Sequence, residues 1–312
     1  MNKLKILFMG TPEFSINILN GLINNYDVVA VVTQPDKEVG RKHEIKPSLV
    51  KILAKEKNIP VYQPINIKKE YEDLLKLDVD MIVTCAYGQI IPKALLDFPK
   101  YGCINVHASL LPKLRGGAPI HKAIMNGYTK TGVTIMYMVE KMDAGDIISQ
   151  VETTITEDDN VGTLHDRLSL MGTKLLLETI PKIISKDITL TKQNEEDVTY
   201  AFNITREEEK IDFSKTSTQI HNQIRALNPW PGSYAILDQN NIKIYNSYLT
   251  NNKTNTLECG KIINVYKDGI GVSTGDNELV ITEIQLAGKK RMSVKEYFNG
   301  IKKETLIGKV FK

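Results

Sequence analysis

Apolar positions fall into two regimes along this chain. Up to residue 185, short uninterrupted apolar runs alternate with stretches of helical spacing. Residues 4–9, 28–32, 81–85, 103–106 and 131–138 predict strands, and runs without a polar alternation mark strands covered on both faces. Between them, residues 12–23 put Phe14, Ile18, Leu19 and Leu22 on one helical face, with Pro12 suited to a first helical turn. Ser48 can cap a helix over residues 49–57. Residues 163–185 predict a long helix with Leu164, Leu168, Met171, Leu175 and Leu176 as its buried stripe. Such alternation predicts an α/β domain built on a mainly parallel sheet with helices on both faces.

The second regime begins in a polar stretch. Residues 190–209 carry Lys192-Gln193-Asn194-Glu195-Glu196-Asp197 and then Glu207-Glu208-Glu209, the composition of an interdomain linker. After a helical segment over residues 218–227 come short strands, at 233–237, 242–248, 260–265, 269–273 and 278–285, separated by glycine and aspartate steps. A small Greek-key β-barrel is the natural expectation. The chain is 312 residues long, which fits two domains, here 1–189 and 210–312 joined by 190–209.

Charge refines this division. The net charge is only +3, but residues 206–312 hold 16 Lys+Arg against 12 Asp+Glu, and residues 288–312 hold 8 against 2. The basic excess therefore sits at the C-terminal end, either as a solvated surface or as a contact for a polyanion. The 3 cysteines are far apart and suit neither a disulfide framework nor a metal site. Cys85 and Cys103 lie in apolar runs and read as small buried hydrophobes. No apolar run approaches the length of a signal core or a membrane span, so a cytoplasmic location is expected.

Ligands of open α/β sheets bind beyond the carboxyl ends of the strands. There, Asn105 and His107 sit two residues apart and project together from an extended strand. Asp143, on the loop after the next strand, can pair with His107. An amide and an imidazole beside a carboxylate can stabilise an oxyanion and move a proton; the same groups can also simply satisfy one another. A hydrolase triad of Ser109, His107 and Asp143 is disfavoured, because there is no Gly-x-Ser-x-Gly elbow. The 5 histidines show no metal-ligand spacing, and neither Gly-x-Gly-x-x-Gly nor a phosphate-binding loop is present.

Three runs carry a resemblance: Asn105-Val106-His107-Ala108-Ser109-Leu110-Leu111-Pro112, Arg115-Gly116-Gly117-Ala118-Pro119-Ile120, and Met142-Asp143-Ala144-Gly145-Asp146. Supporting runs are Phe8-Met9-Gly10-Thr11-Pro12, Ala86-Tyr87-Gly88-Gln89-Ile90-Ile91-Pro92, and Asn228-Pro229-Trp230-Pro231-Gly232. Together they resemble the folate-dependent formyltransferases, most closely those acting on methionyl-tRNA, over nearly the whole chain. The resemblance implies a Rossmann-like N-terminal domain, an OB-like β-barrel at the C-terminus, 10-formyltetrahydrofolate as formyl donor, methionyl initiator tRNA as acceptor, and no metal.

On that resemblance Asn105, His107 and Asp143 match the catalytic trio. Ser109, Leu110, Leu111 and Pro112 match the folate loop, with Ile90 and Ile91 walling the pterin pocket. The loop at 34–47 offers Arg41, Lys42 and Lys46 to the tRNA acceptor end, although Glu44 departs from the usual basic run. Lys289, Lys290 and Arg291 are the phosphate candidates of the basic C-terminal stretch, whereas Trp230, between two prolines, reads as a packing residue. A monomer is expected. Two rivals remain open: a formyltransferase acting on a small amine, and a non-catalytic RNA-binding protein.

Overall fold

The computed structural model describes residues 3–39, 44–254 and 258–312. The strands of the first half, in chain order, are β1 (Lys5–Gly10), β2 (Asp27–Val32), the hairpin β3 (Lys37–Val39) and β4 (Glu44–Lys46), β5 (Val61–Tyr62), β6 (Met81–Cys85), β7 (Cys103–His107), β8 (Lys130–Tyr137) and β9 (Ile147–Thr154). Apart from the hairpin they form one sheet in the order β5-β2-β1-β6-β7-β8-β9. β5, β2, β1, β6 and β7 pair in parallel, and β8 and β9 add antiparallel strands at one edge. The sheet is thus mainly parallel, as the apolar runs predict. Its order reverses between β1 and β6, which creates a crevice beyond the carboxyl ends of the central strands.

Local sequence explains the helices. In α1 (Phe14–Asn25) the residues Phe14, Ile18, Leu19 and Leu22 are buried, as their spacing predicts. Ser48 caps α2 (Leu49–Glu56) by accepting a hydrogen bond from the Lys51 amide. Short helices α3 (Lys93–Leu96) and α4 (Pro119–Met125) precede the long α5 (Val161–Ser185). The buried stripe of α5 differs from the expected one. Leu164, Leu168, Leu176 and Ile180 are fully buried, whereas Met171 and Leu175 are half-exposed. Gly172 takes the inward position instead. A Cβ there would lie 3.0 Å from Val106 and 3.3 Å from Val133, so glycine lets α5 approach the strand that carries His107.

In the second half, α6 (Arg206–Glu209) and α7 (Ser217–Ala226) both begin in capping boxes, at Thr205 and Thr216. The strands β10 (Ser233–Leu237), β11 (Asn240–Lys253), β12 (Ile262–Val265), β13 (Ile270–Ser273), β14 (Asn277–Leu286) and β15 (Met292–Ser293) form an antiparallel sheet in the order β10-β11-β14-β13-β12, with β15 on β14. Its two edges are covered by residues 308–312. The Lys312 and Ile236 backbones exchange hydrogen bonds of 2.8 Å on one edge. Ile262 donates to Lys309, and Phe311 to Gly260, on the other. Among the described residues the domain is an antiparallel sheet that does not close into a barrel through its own strands, and the tail pairs with both edges, which removes two templates for aggregation.

The chain divides into two compact units. One comprises Met1–Pro119, Lys130–Thr154 and His165–Phe202; the other comprises Ile120–Thr129, Ile155–Leu164 and Asn203–Lys312. The polar stretch 190–209 is shared between them, with residues through Phe202 in the first unit. Among the described residues no helix is long and apolar enough to cross a membrane.

Candidate active site

β7 delivers the two polar side chains of the strand toward its carboxyl end, beside β6. Asn105 is paired in register with Thr84 of β6, and His107 with Thr134 of β8. The Thr84 hydroxyl donates to Asn105 Oδ1 at 2.8 Å. The carbonyl end of this amide is therefore the held end, and its NH2 is left as the donor.

His107 is 5% exposed. Its Nε2 lies 3.0 Å from the Leu114 carbonyl oxygen. A carbonyl can only accept, so Nε2 carries a proton, and in the neutral ring Nδ1 holds the lone pair. Nδ1 lies 3.7 Å from Asp143 Oδ2, an ion-pair distance when the ring is protonated. The same carboxylate oxygen accepts the Gly116 amide at 2.8 Å. The structure thus brings Asn105, His107 and Asp143 to one strand end.

Two left-handed residues aim these groups. Leu114 has φ 62° and turns its carbonyl to His107; Asp143 has φ 49°. Such backbone is uncommon for residues with a side chain and persists only where the surroundings enforce it.

The residues expected to form the folate loop, 109–112, make a hydrogen-bonded turn. Ser109 is fully buried and its hydroxyl donates to the Lys113 carbonyl at 2.7 Å, which commits it and leaves the hydrolase triad without a nucleophile. Thr134 Oγ1 donates to the Ser109 carbonyl, and the Leu111 amide donates to Thr134 Oγ1. Gln150 donates to the Leu111 carbonyl. Leu110 and Pro112 keep partial exposure beside this fixed backbone. Ile90 and Ile91 part company. Ile91 packs in the core with Ile82, Leu95 and Leu96, whereas Ile90 is 61% exposed. Successive residues of an extended segment face opposite ways, so one side chain of the pair faces the core and the other faces out.

The expected phosphate contacts divide further. Arg41 and Lys42 lie outside the described residues. Lys46 is exposed and stands directly opposite Lys37 in the β3–β4 hairpin, a pairing of like charges. Lys289 and Lys290 are exposed. Arg291 is engaged within the protein: its Nε donates to Glu283 at 2.7 Å, its Nη1 to Asn228 at 3.0 Å, and its guanidinium stacks 4.3 Å over Tyr245.

Residues 3–180 match the family described as Formyl transferase, and residues 203–302 match its C-terminal domain. The chain belongs to the formyltransferase family. Its relatives include the methionyl-tRNA formyltransferases of Geobacillus sp. (strain WCH70), 55% identical over 98% of this chain and 97% of that protein, and of Bacillus subtilis (strain 168), 55% identical over 95% and 94%. Among solved structures, an N-formyltransferase from Helicobacter canadensis, in complex with folinic acid and dTDP-3-aminofucose, superposes with TM-score 0.64 at 24% identity, covering 90% of this chain and 99% of that one. HypX from Aquifex aeolicus, in complex with tetrahydrofolic acid, superposes with TM-score 0.65 at 16% identity, covering 95% of this chain and 47% of that one. At these identities the structures establish the shared formyltransferase fold.

Several residues that shape the candidate site escape a reading of sequence motifs. Thr84 is the only polar side chain of β6, a signal in itself, yet its partner Asn105 is distant in sequence. Arg115 belongs to a family motif but is 0% exposed, contrary to the habit of arginine. Gln193 and Thr199 sit in the polar stretch and contact the loops that hold Asp143 and His107.

Proposed function

We propose that this protein transfers the formyl group of 10-formyltetrahydrofolate to the α-amino group of methionyl initiator tRNA for translation initiation. The observation that carries this reading is the full-length 55% identity to methionyl-tRNA formyltransferases, which spans both domains. The donor set at the end of β7 fits the donor: one amide NH2, one imidazole and one carboxylate.

Bound 10-formyltetrahydrofolate supplies an activated formyl carbonyl, so the protein has to place it, stabilise its oxygen and move protons. The acceptor amine has an ordinary pKa near ~8 and is partly neutral at physiological pH, so it needs little activation. Asn105 donates its amide NH2 to the carbonyl oxygen as charge develops there. His107, fixed at Nε2 by Leu114, works through Nδ1: it stabilises the same oxygen when protonated and exchanges a proton with the reacting nitrogens. Asp143 holds the resulting imidazolium in place. The turn 109–112 and Ile90 contact the folate, with Ile91 supporting them from the core.

Residues 1–189 form the catalytic domain and 210–312 the tRNA-binding domain, with the connection within 190–209. Lys46, Lys289 and Lys290 meet phosphates, as do Arg41, Lys42 and Arg291, the last of which also steadies β14 through Glu283. The protein acts as a monomer in the cytoplasm, where charged tRNA is found.

The test compares acceptors at fixed 10-formyltetrahydrofolate: methionyl initiator tRNA, uncharged initiator tRNA and an amino-sugar nucleotide. Turnover confined to the charged tRNA is the expected result. Turnover of the amino sugar with none on tRNA overturns the assignment in favour of a small-amine formyltransferase. Binding of tRNA without folate binding or turnover overturns it in favour of a non-catalytic RNA-binding protein.

A further inference from the structure

The stretch 191–201 has the composition of a linker but the hydrogen bonding of a structural strap across the candidate active site. It starts on the sheet, where Thr191 and Ile147 exchange backbone hydrogen bonds of 2.9 Å. It ends on the Arg115 loop. The Arg115 amide donates to the Thr199 carbonyl at 2.9 Å, the Ala201 amide donates to the Arg115 carbonyl at 2.7 Å, and the Ala118 amide donates to the Ala201 carbonyl at 2.9 Å. A Cβ on Gly116 would lie 2.7 Å from the Ala201 oxygen, and its φ is +122°, so the close approach of strap and loop demands glycine.

Between these anchors the strap touches both arms of the trio. Gln193 donates through Nε2 to the Asp143 and Gly145 carbonyls, each at 2.8 Å. Its Oε1 accepts Nε of the buried Arg115 at 3.0 Å, so both amide protons and the amide oxygen are engaged. Glu195 joins Arg115 Nη2 at 3.0 Å and Lys141 at 2.7 Å, tying the start of the Asp143 loop to the same guanidinium. On the other arm, Thr199 Oγ1 accepts the Leu114 amide at 2.9 Å. Leu114 is the left-handed residue whose carbonyl fixes His107.

We infer that residues 191–201 belong to the catalytic centre and that Gln193 is a positioning residue, which sets Asp143 against His107 by holding the Asp143 and Gly145 carbonyls. This rests on the assignment of Asp143 and His107 given above. An Asp143 backbone at φ 49° has a competing relaxed state, and the two amide protons of Gln193 are what hold it away from that state. Gln193 touches no reacting atom; its effect passes through Asp143. Thr199 plays the corresponding part for His107, through Leu114.

The test uses the full chain with any amine that the wild type formylates, so it stands even if the tRNA assignment fails. Gln193→Leu removes all three hydrogen bonds. Gln193→Glu keeps an acceptor for Arg115 but loses both donated protons. A displaced catalytic group costs up to roughly 10²-fold, so both variants are expected to lose about 10-fold to 10²-fold in single-turnover rate at saturating substrates. KM for the amine and folate affinity should change little. The decisive measurement is the cycle with Asp143→Asn: on that background Gln193→Glu should cost almost nothing further, because it acts through the group already disabled. Thr199→Val should slow the reaction, and Thr199→Ser should restore it. Wild-type rates in Gln193→Glu, or a full additive loss on the Asp143→Asn background, would overturn the inference. If Gln193→Leu fails to fold, Gln193→Glu and the Thr199 pair decide the matter.

Discussion

The end of β7 and the basic stretch at residues 288–312 use polar residues in opposite ways. At the end of β7, Thr84 holds Asn105, Leu114 holds His107 and Gly116 holds Asp143, so each group has one assigned task. In the basic stretch Lys289 and Lys290 stand exposed, and the one arginine beside them is clamped by Glu283 and Asn228. Polar groups held one by one by the surrounding backbone and side chains give orientation, which chemistry needs. Exposed lysines give long-range attraction that depends on charge and on salt, which binding a phosphate backbone needs. The contrast predicts that damage to the first region appears in the rate of formyl transfer and damage to the second in affinity.

The largest effect that sharpens this contrast lies at Asn105. Asn105→Ala removes a donor aimed at the developing charge, and the single-turnover rate should fall by roughly 10²–10³ with tRNA affinity unchanged. A loss of affinity with an unchanged rate would erase the distinction between the regions. Next is Lys289→Ala with Lys290→Ala. The pair should raise KM for tRNA roughly 10-fold, flatten its logarithmic dependence on salt by about 2, and leave the saturated rate intact. A salt titration of tRNA binding checks this.

The smallest effect concerns stability within the second unit. Burial, and then the nearby Arg225 charge, push the pKa of His221 below the ordinary imidazole value. At a pH above that ordinary value the ring is neutral in both the folded and unfolded chain. As pH falls through it, the unfolded chain takes up a proton that the folded chain resists, so stability declines toward the depressed folded pKa. Denaturant midpoints between about pH 7.5 and about pH 5.5 should fall in wild type and fall less in His221→Gln. Equal slopes would remove His221 from the account.

The fold was legible where burial imposed a period. β1, β2, β6 and β7 are apolar runs inside the sheet, and α1 buries the four side chains its spacing selects. β9 carries no apolar run, because its mostly half-buried and exposed edge positions hold polar residues. The candidate trio could be picked out as polar groups at a strand end, but Asn-x-His on its own also admits a plain polar strand end, and it was the family resemblance that favoured chemistry. What could not be read was the support. Left-handed backbone at Leu114 and Asp143, the buried Arg115, and the hydrogen bonds of Gln193 and Thr199 depend on contacts between distant residues. Those contacts leave no local period, and the composition of residues 190–202 suggested a linker.

The central claim is that His107, held at Nε2 and facing Asp143 at Nδ1, takes part in formyl transfer. It is tested most directly by the single-turnover rate to methionyl initiator tRNA in wild type and His107→Ala, with folate affinity measured on the same preparations. The account predicts a fall of roughly 10²–10⁴ in rate with folate affinity retained; a His107→Ala protein that transfers the formyl group at the wild-type rate would contradict it.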